Sequence, residues 1–153
     1  MRWILHRGNM AGPGSCENNP TGIQNALNQG YDVEIDLWIQ GTEYWLGHDG
    51  PEYLVDSSFI SKKGIWIHCK DAITLEQMSL LHPNLRFFYH TDEDYVLTSK
   101  GDIWCYIGKP PLKRSIVVMP ERVPNLYSLS DLNDLECGVC SDYIKNYDLS
   151  YFR

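Results

Sequence analysis

The residues best suited to do chemistry lie between Gly30 and Asp49, in GYDVEIDLWIQGTEYWLGHD. Val33-Glu34-Ile35-Asp36-Leu37 alternates acids with aliphatic side chains. In an extended strand every second side chain shares a face, so Glu34 and Asp36 point the same way. Two adjacent carboxylates repel each other, and burying them is costly unless a cation or a proton compensates. A hard divalent ion held by Glu34 and Asp36 is the economical solution. After a turn at Gln40-Gly41, a second strand over Glu43-Tyr44-Trp45-Leu46 leads to Gly47-His48-Asp49. That hairpin delivers His48 close to the acids as a general acid or base.

The rest of the chain must hold that stretch in place. A first strand spans Trp3 to His6, and a Gly/Pro-rich loop from Gly8 to Ser15 leads to a helix over Thr21 to Gln29, closed by Gly30. Gly64 to Lys70 reads as a third strand, followed by a helix from about Thr74 to Leu81 that Pro83 stops. Further strands are expected at Leu85 to His90, Ile103 to Ile107 and Ser115 to Met119. A short helix from Ser130 to Leu135 then precedes a last strand at Gly138 to Ser141. Strands alternating with helices point to an α/β domain. His6, Asp36, Lys70, His90, Glu121 and Asp142 fall at the carboxyl ends of strands, the edge where α/β proteins place their active sites. Ordinary (β/α)8 barrels run from about 200 residues upward. Here the connection from Thr91 to Asp102 is too short and polar for a full helix, and the one from Gly108 to Arg114 carries Pro110-Pro111. The expectation is a compact, helix-depleted TIM-type barrel forming a single domain over residues 1–153.

Bulk properties narrow the function. The chain has 153 residues, 43% hydrophobic and 22% charged, the composition of an ordinary soluble domain. A net charge of -7, with no Lys/Arg run, argues against a nucleic-acid partner. The opening Met1-Arg2-Trp3-Ile4-Leu5-His6-Arg7 is too short and too polar for a signal peptide, and no segment approaches transmembrane length. A cytoplasmic location is expected. The five cysteines, Cys16, Cys69, Cys105, Cys137 and Cys140, form no disulfide framework. Cys137-Gly-Val-Cys140 has C-x-x-C spacing but no second pair, so core thiols are favoured over a redox or zinc site.

His6-Arg7-Gly8, Glu17-Asn18, Gly30-x-Asp32-x-Glu34-x-Asp36 and Gly47-His48-Asp49 together resemble the glycerophosphodiester phosphodiesterases. These belong to the phospholipase C-like phosphodiesterase barrels. Order and spacing match across residues 4–50; beyond that, His68-Cys69-Lys70 and Gly138-Val-Cys-Ser-Asp142 resemble later strands of the family. The resemblance implies that His6 and His48 are the catalytic acid and base, and that Glu34 and Asp36 are metal ligands. It further implies that Arg7 and Lys70 contact the phosphate and that Glu17 supports the site. His68 stands where the family has a third acidic ligand. A neutral histidine can ligate a divalent ion but adds no charge and favours softer ions. Magnesium, calcium or manganese is the implied cofactor, with zinc admitted by His68.

The chemistry holds together without the name. A divalent ion offsets charge developing on a phosphoryl oxygen. Two histidines with ordinary pKa values near ~6.5 can exchange protons at neutral pH. Arg7 and Lys70 supply cations for an anionic diester. Each residue also has a plainer reading: His90 as a hydrogen-bonded strand-end group, Lys70 as a surface lysine, and Trp104 and Tyr106 as packing. Glu121 and Asp142 are weaker candidates than the motif residues. The expected function is a metal-dependent phosphodiesterase acting on a small or lipid-derived phosphodiester. The alternative is a catalytically reduced relative that only binds phosphate. A barrel short of helices would also expose apolar strand surface, which makes a homo-oligomer plausible.

Overall fold

Alternation within short strands decides the architecture. In a computed structural model of the chain, residues 2–127, 132, 136 and 138–145 are described. The helix expected over Ser130 to Leu135 lies outside these residues except for Leu132, and so does Cys137. The strands are β1 (Arg2–Leu5), β2 (Asp32–Gln40), β3 (Glu43–Leu46), β4 (Tyr53–Val55), β5 (Ile65–Cys69), β6 (Phe87–Phe88), β7 (Tyr95–Leu97), β8 (Ile103–Cys105), β9 (Ser115–Val118) and β10 (Gly138–Ser141). The α-helices among the described residues are α1 (Pro20–Asn28), α2 (Ser57–Ile60) and α3 (Ala72–Leu81). None is long and apolar enough to cross a membrane.

Seven strands run parallel in the order β6-β5-β2-β1-β10-β9-β8. Three more are antiparallel: β3 on β2, β4 on β3, and β7 on β8. All ten form one mixed sheet, curled as a half-barrel. This corrects the TIM-type barrel expected from the sequence. Among the described residues no strand ladder joins β6 to β7 or β8; those ends are linked instead by hydrogen bonds between Phe87 and Ser99, by the Arg86–Asp102 ion pair and by the stacked rings of Phe88 and Trp104. Helices are few for the reason legible in the connections. The stretches from 89 to 102 and from 106 to 114 are turns and a short antiparallel strand rather than helices. The β7–β8 hairpin takes the β8 edge that a closed barrel would pair in parallel, and β3–β4 extend antiparallel from the far end of β2.

Two apolar layers lie on the two faces of the curl. Leu5, Val33, Ile35, Leu37, Ile67, Val117 and Val139 join Ile23 and Ala26 of α1 and Met78 of α3 in one core. Ile4, Trp66, Phe88, Trp104, Ile116 and Cys140 form a second core on the opposite face. Successive residues of one strand thus serve different layers, as the pleat requires. Glu34 and Asp36 alternate with Val33, Ile35 and Leu37, so they lie on the face of Trp66 and Phe88, away from the helices.

The helices are set by their caps. Asn19 accepts hydrogen bonds from the N–H groups of Thr21 and Gly22, with Pro20 opening α1, one residue before the expected start. Asp71 caps α3 by accepting from the Thr74 N–H at 2.6 Å, which starts that helix two residues earlier than expected. Thr74 then accepts from the Ile39 N–H and ties α3 to the end of β2. The fourth expected strand, Leu85 to His90, is reduced to Phe87–Phe88.

Candidate functional site

The site is built where the parallel strands end. Register places Asp36 directly opposite His68 and His68 opposite Phe88, so three neighbouring strands present an acid, an imidazole and a ring side by side. Oxygen atoms of Glu34 and Asp36 and a ring nitrogen of His68 all lie within 4.8 Å of one another. Both acids are almost wholly buried. His68 donates from Nδ1 to Asp36 Oδ1 at 3.0 Å and stands 3.8 Å from Glu34 Oε1. Its ring stacks on Phe88 and on His90, the latter at 4.5 Å between centroids and 8° between planes.

The two acids are held in unlike states. Burial and the charge of Asp36 push Glu34 up, only partly countered by His6, His68 and Arg7. Burial also acts to raise Asp36, but the His68 hydrogen bond and the charges of Lys70, His68 and Arg7 outweigh it and hold Asp36 well below the usual carboxylate range. Lys70 Nζ lies 3.3 Å from Asp36 Oδ1, and Arg7 Nε lies 3.2 Å from Asp36 Oδ2 without the alignment of a hydrogen bond.

β1 runs into a tight turn at His6–Gly8 that carries the next two groups. His6 is buried and donates from Nδ1 to Asp142 Oδ1 at 2.8 Å, leaving Nε2 on the Glu34 side, 4.0 Å from Oε2. Burial raises Asp142, but the hydrogen bonds from His6 and Asn9, with the charges of His6 and Arg122, bring it below the ordinary value. Asp142 is therefore an ionised acceptor, and it fixes the tautomer of His6. Arg7 has left-handed backbone (φ 52°); its N–H donates to Glu34 Oε2 and its guanidinium to Glu17 Oε2 at 3.0 Å. Glu17 also accepts from Asn9, so it braces the turn and Arg7 together.

His48 comes from the hairpin, as expected. Gly47, at φ 153°, admits no side chain, because a Cβ there would collide with the carbonyl oxygen of Gly50. Trp38 Nε1 donates to the Gly47 carbonyl at 2.7 Å and pins the turn. His48 donates from Nδ1 to the exposed Asp49 at 2.7 Å, which leaves Nε2 for chemistry. It touches neither acid.

His6, Arg7, Glu34, His48, His68 and Lys70 line one cavity of about 320 Å³. Asp36 lies behind that wall, against His68, Lys70 and Arg7, and Glu17 to one side, acting through Arg7. The carboxylate-plus-imidazole donor set fits a divalent cation, since a buried carboxyl that burial drives toward protonation beside a second, ionised one calls for added positive charge. Binding would require His68 to give up its Nδ1 proton, which lies between the acids.

Sequence reasoning missed three supports. Asn18 is fully buried: it donates from Nδ2 to Asp36 Oδ2 at 3.0 Å and accepts from the Asp36 N–H at 2.9 Å. Asn9 bridges Glu17 and Asp142 at 2.8 Å each. Asp142, ranked as a weaker candidate, is the partner of His6. One signal was available for Asn18: Asn tolerates positive φ, and it adopts 58° here. The described non-glycine residues with positive φ are Arg7, Asn18 and Met119; Arg7 and Met119 line the cavity and Asn18 holds Asp36 behind it. Strained backbone clusters at functional sites. His90, read as an ordinary strand-end group, is buried enough for its pKa to be pushed down to about 4, and its Nδ1 has no hydrogen-bond partner among the described residues. Cys69, Cys105 and Cys140 are free and buried, and burial pushes Cys69 up to about 12 and Cys105 up to about 11, so they are inert core thiols.

Comparison with protein-family models, with curated proteins and with solved structures returned no match.

Proposed function

We propose that this protein is a metal-dependent phosphodiesterase. The observation that carries the reading is the single cavity into which separate stretches of chain bring His6 and His48, the cations Arg7 and Lys70, and the Glu34 carboxylate, with His68, His90 and Arg122 beside them. Hydrolysis places a hydroxyl from water on phosphorus, breaks the P–O bond to the leaving alcohol, and returns a proton to that oxygen. His6 and His48 divide the two proton transfers, each with Nδ1 tied to a carboxylate and Nε2 available. Arg7 and Lys70 lower the cost of an anionic substrate in the cavity. A divalent ion held by Glu34, Asp36 and His68 would offset the charge growing on the phosphoryl oxygens. Magnesium, manganese or calcium suits the carboxylates, and zinc the imidazole. The resemblance of residues 4–50 to glycerophosphodiester phosphodiesterases supports the same chemistry.

One observation favours a second reading. Asp36 already has Asn18, His68, Lys70 and Arg7 around its oxygens, a shell that compensates its charge with no ion. A phosphate-binding relative without turnover would look like this. Turnover decides between the two. Chelator-treated protein is assayed on an activated aryl phosphodiester, then with magnesium, calcium, manganese or zinc restored, alongside His6→Ala and His48→Ala. Metal-restored hydrolysis lost in both variants is the expected result. No hydrolysis with any ion, from folded protein, leaves the binding reading.

Free buried thiols support a reducing, cytoplasmic setting. The charge of -7 supports a small-molecule substrate over nucleic acid. Exposed Ile73, Leu80 and Leu81 on α3 support self-association.

A further inference from the structure

The cavity has two unlike walls. Beside the charged groups the lining is largely apolar: Phe88, Trp104, Tyr106, Ile107, Val118 and Met119. Of these only Trp104 Nε1–H and the Tyr106 hydroxyl can hydrogen-bond, and Thr91 and Arg122 add two polar side chains at the edge of that stretch. Phe88 and Trp104 are stacked at 4.4 Å, and Trp104, Val118 and Met119 are nearly fully buried, so this wall is firm and dry. A polyol such as glycerol needs donors and acceptors for each hydroxyl, and unmatched hydroxyls in an apolar wall are penalised. A cationic headgroup would be repelled by Arg7, Lys70 and Arg122, and Glu34 is the one carboxylate among the lining residues to offset them. At about 320 Å³ the space is at the small end of ligand pockets, which span about 300–1,000 Å³, so long acyl chains would have to lie outside it. His90, at the junction of the walls, carries a buried Nδ1 without a partner among the described residues, enough for one polar atom on the substrate.

From this division we infer that the substrate is a phosphodiester bearing one compact, uncharged, apolar group of about one ring in size, rather than glycerol or a cationic headgroup. The inference rests on the phosphodiesterase reading and names which ester that site takes. The phosphate lies against His6, Arg7 and Lys70, and the ring against Tyr106, Val118 and Met119.

The test is competition within one reaction. Metal-loaded protein receives equal amounts of benzyl methyl phosphate, glyceryl methyl phosphate and choline methyl phosphate, and the three remaining diesters are quantified by mass spectrometry over time. Their relative depletion gives the ratios of kcat/KM whichever alcohol leaves. Burying one ring should favour the benzyl ester by about 10- to 100-fold over the glyceryl ester. Tyr106→Ala should lower that ratio several-fold, and Tyr106→Phe should keep it, because the ring and not the hydroxyl makes the wall. Equal or preferred use of the glyceryl or choline ester overturns the inference and leaves the phosphodiesterase reading standing. No turnover of any ester, nor of an aryl diester, overturns both.

Discussion

Asn18 is the residue whose loss should be felt most widely. It is fully buried, its Nδ2 donates to ionised Asp36 at 3.0 Å, and its Oδ1 accepts the Asp36 N–H at 2.9 Å. Asn18→Gly keeps the left-handed backbone and removes both bonds. A hydrogen bond to a charged group contributes about 1.5–3 kcal/mol, and a buried N–H left without an acceptor costs about 1–3 kcal/mol. The central expectation is a loss of ~3–5 kcal/mol. For a chain of this length that lowers Tm by about 6–20 °C. Asn18→Ala should be worse by roughly 1 kcal/mol, because its Cβ resists φ near 58°. Urea denaturation of both variants with chelator present gives these values directly. If Asp36 is a metal ligand, as proposed, Asn18 orients it from behind, and divalent-ion affinity should fall about 10- to 100-fold in either variant. A loss below about 1 kcal/mol for Asn18→Gly would refute the claim that Asn18 holds Asp36. Equal stability of the two variants would refute the claim that the backbone there is strained.

Other substitutions separate chemistry from folding. His48→Ala should abolish turnover yet change stability by no more than about 0.5 kcal/mol, since His48 is half-exposed and bonds only to exposed Asp49. Asp142→Asn removes the ionised acceptor of His6 Nδ1 and should cut kcat by at least about 100-fold with little change in KM. Folded Asp142 titrates below its unfolded value, so its stabilisation is complete above pH ~3.9 and fades as pH falls through the folded pKa; Asp142→Asn should lack that acid limb in chelated-protein melts. His90 behaves oppositely to a histidine that gains a partner. With a folded pKa of about 4 against ~6.5 unfolded, the unfolded chain takes up the proton first, so stability drops as pH falls from ~6.5 towards 4. With solvent screening the drop is on the order of 1–2 kcal/mol, and His90→Phe should flatten it.

Much of the site could be read from short-range pattern. Alternation in Val33 to Leu37 put both acids on one face, and Gly47-His48-Asp49 followed a real hairpin. Register then added what no local pattern carries. Asp36 meets His68 because β2 and β5 pair in parallel, and His6 meets Asp142 because β1 and β10 do, across nearly the whole chain. Asn9 fell in the expected Gly8 to Ser15 loop and Asn18 in the Glu17-Asn18 motif without a role of its own, since nothing local distinguishes a buried amide that binds a carboxylate from an exposed one. The barrel expectation failed for a related reason. The hairpin at Gln40-Gly41 was legible, but strand order elsewhere was inferred from alternation with helices, and the short antiparallel strands β4 and β7 had no counterpart in that pattern. Pro110-Pro111 correctly argued against a helix, yet removing helices did not leave a closed barrel; it left a curl with an unpaired seam at β6.

The most direct measurement is a calorimetric titration of chelator-treated protein with manganese and with magnesium. If Glu34, Asp36 and His68 are a metal site, one ion binds per chain, Glu34→Gln and Asp36→Asn abolish binding, and His68→Ala weakens it. A folded chain that takes up neither ion at millimolar concentration, with Asp36 content in its shell of Asn18, Lys70 and Arg7, would contradict the metal centre and the phosphodiesterase built on it.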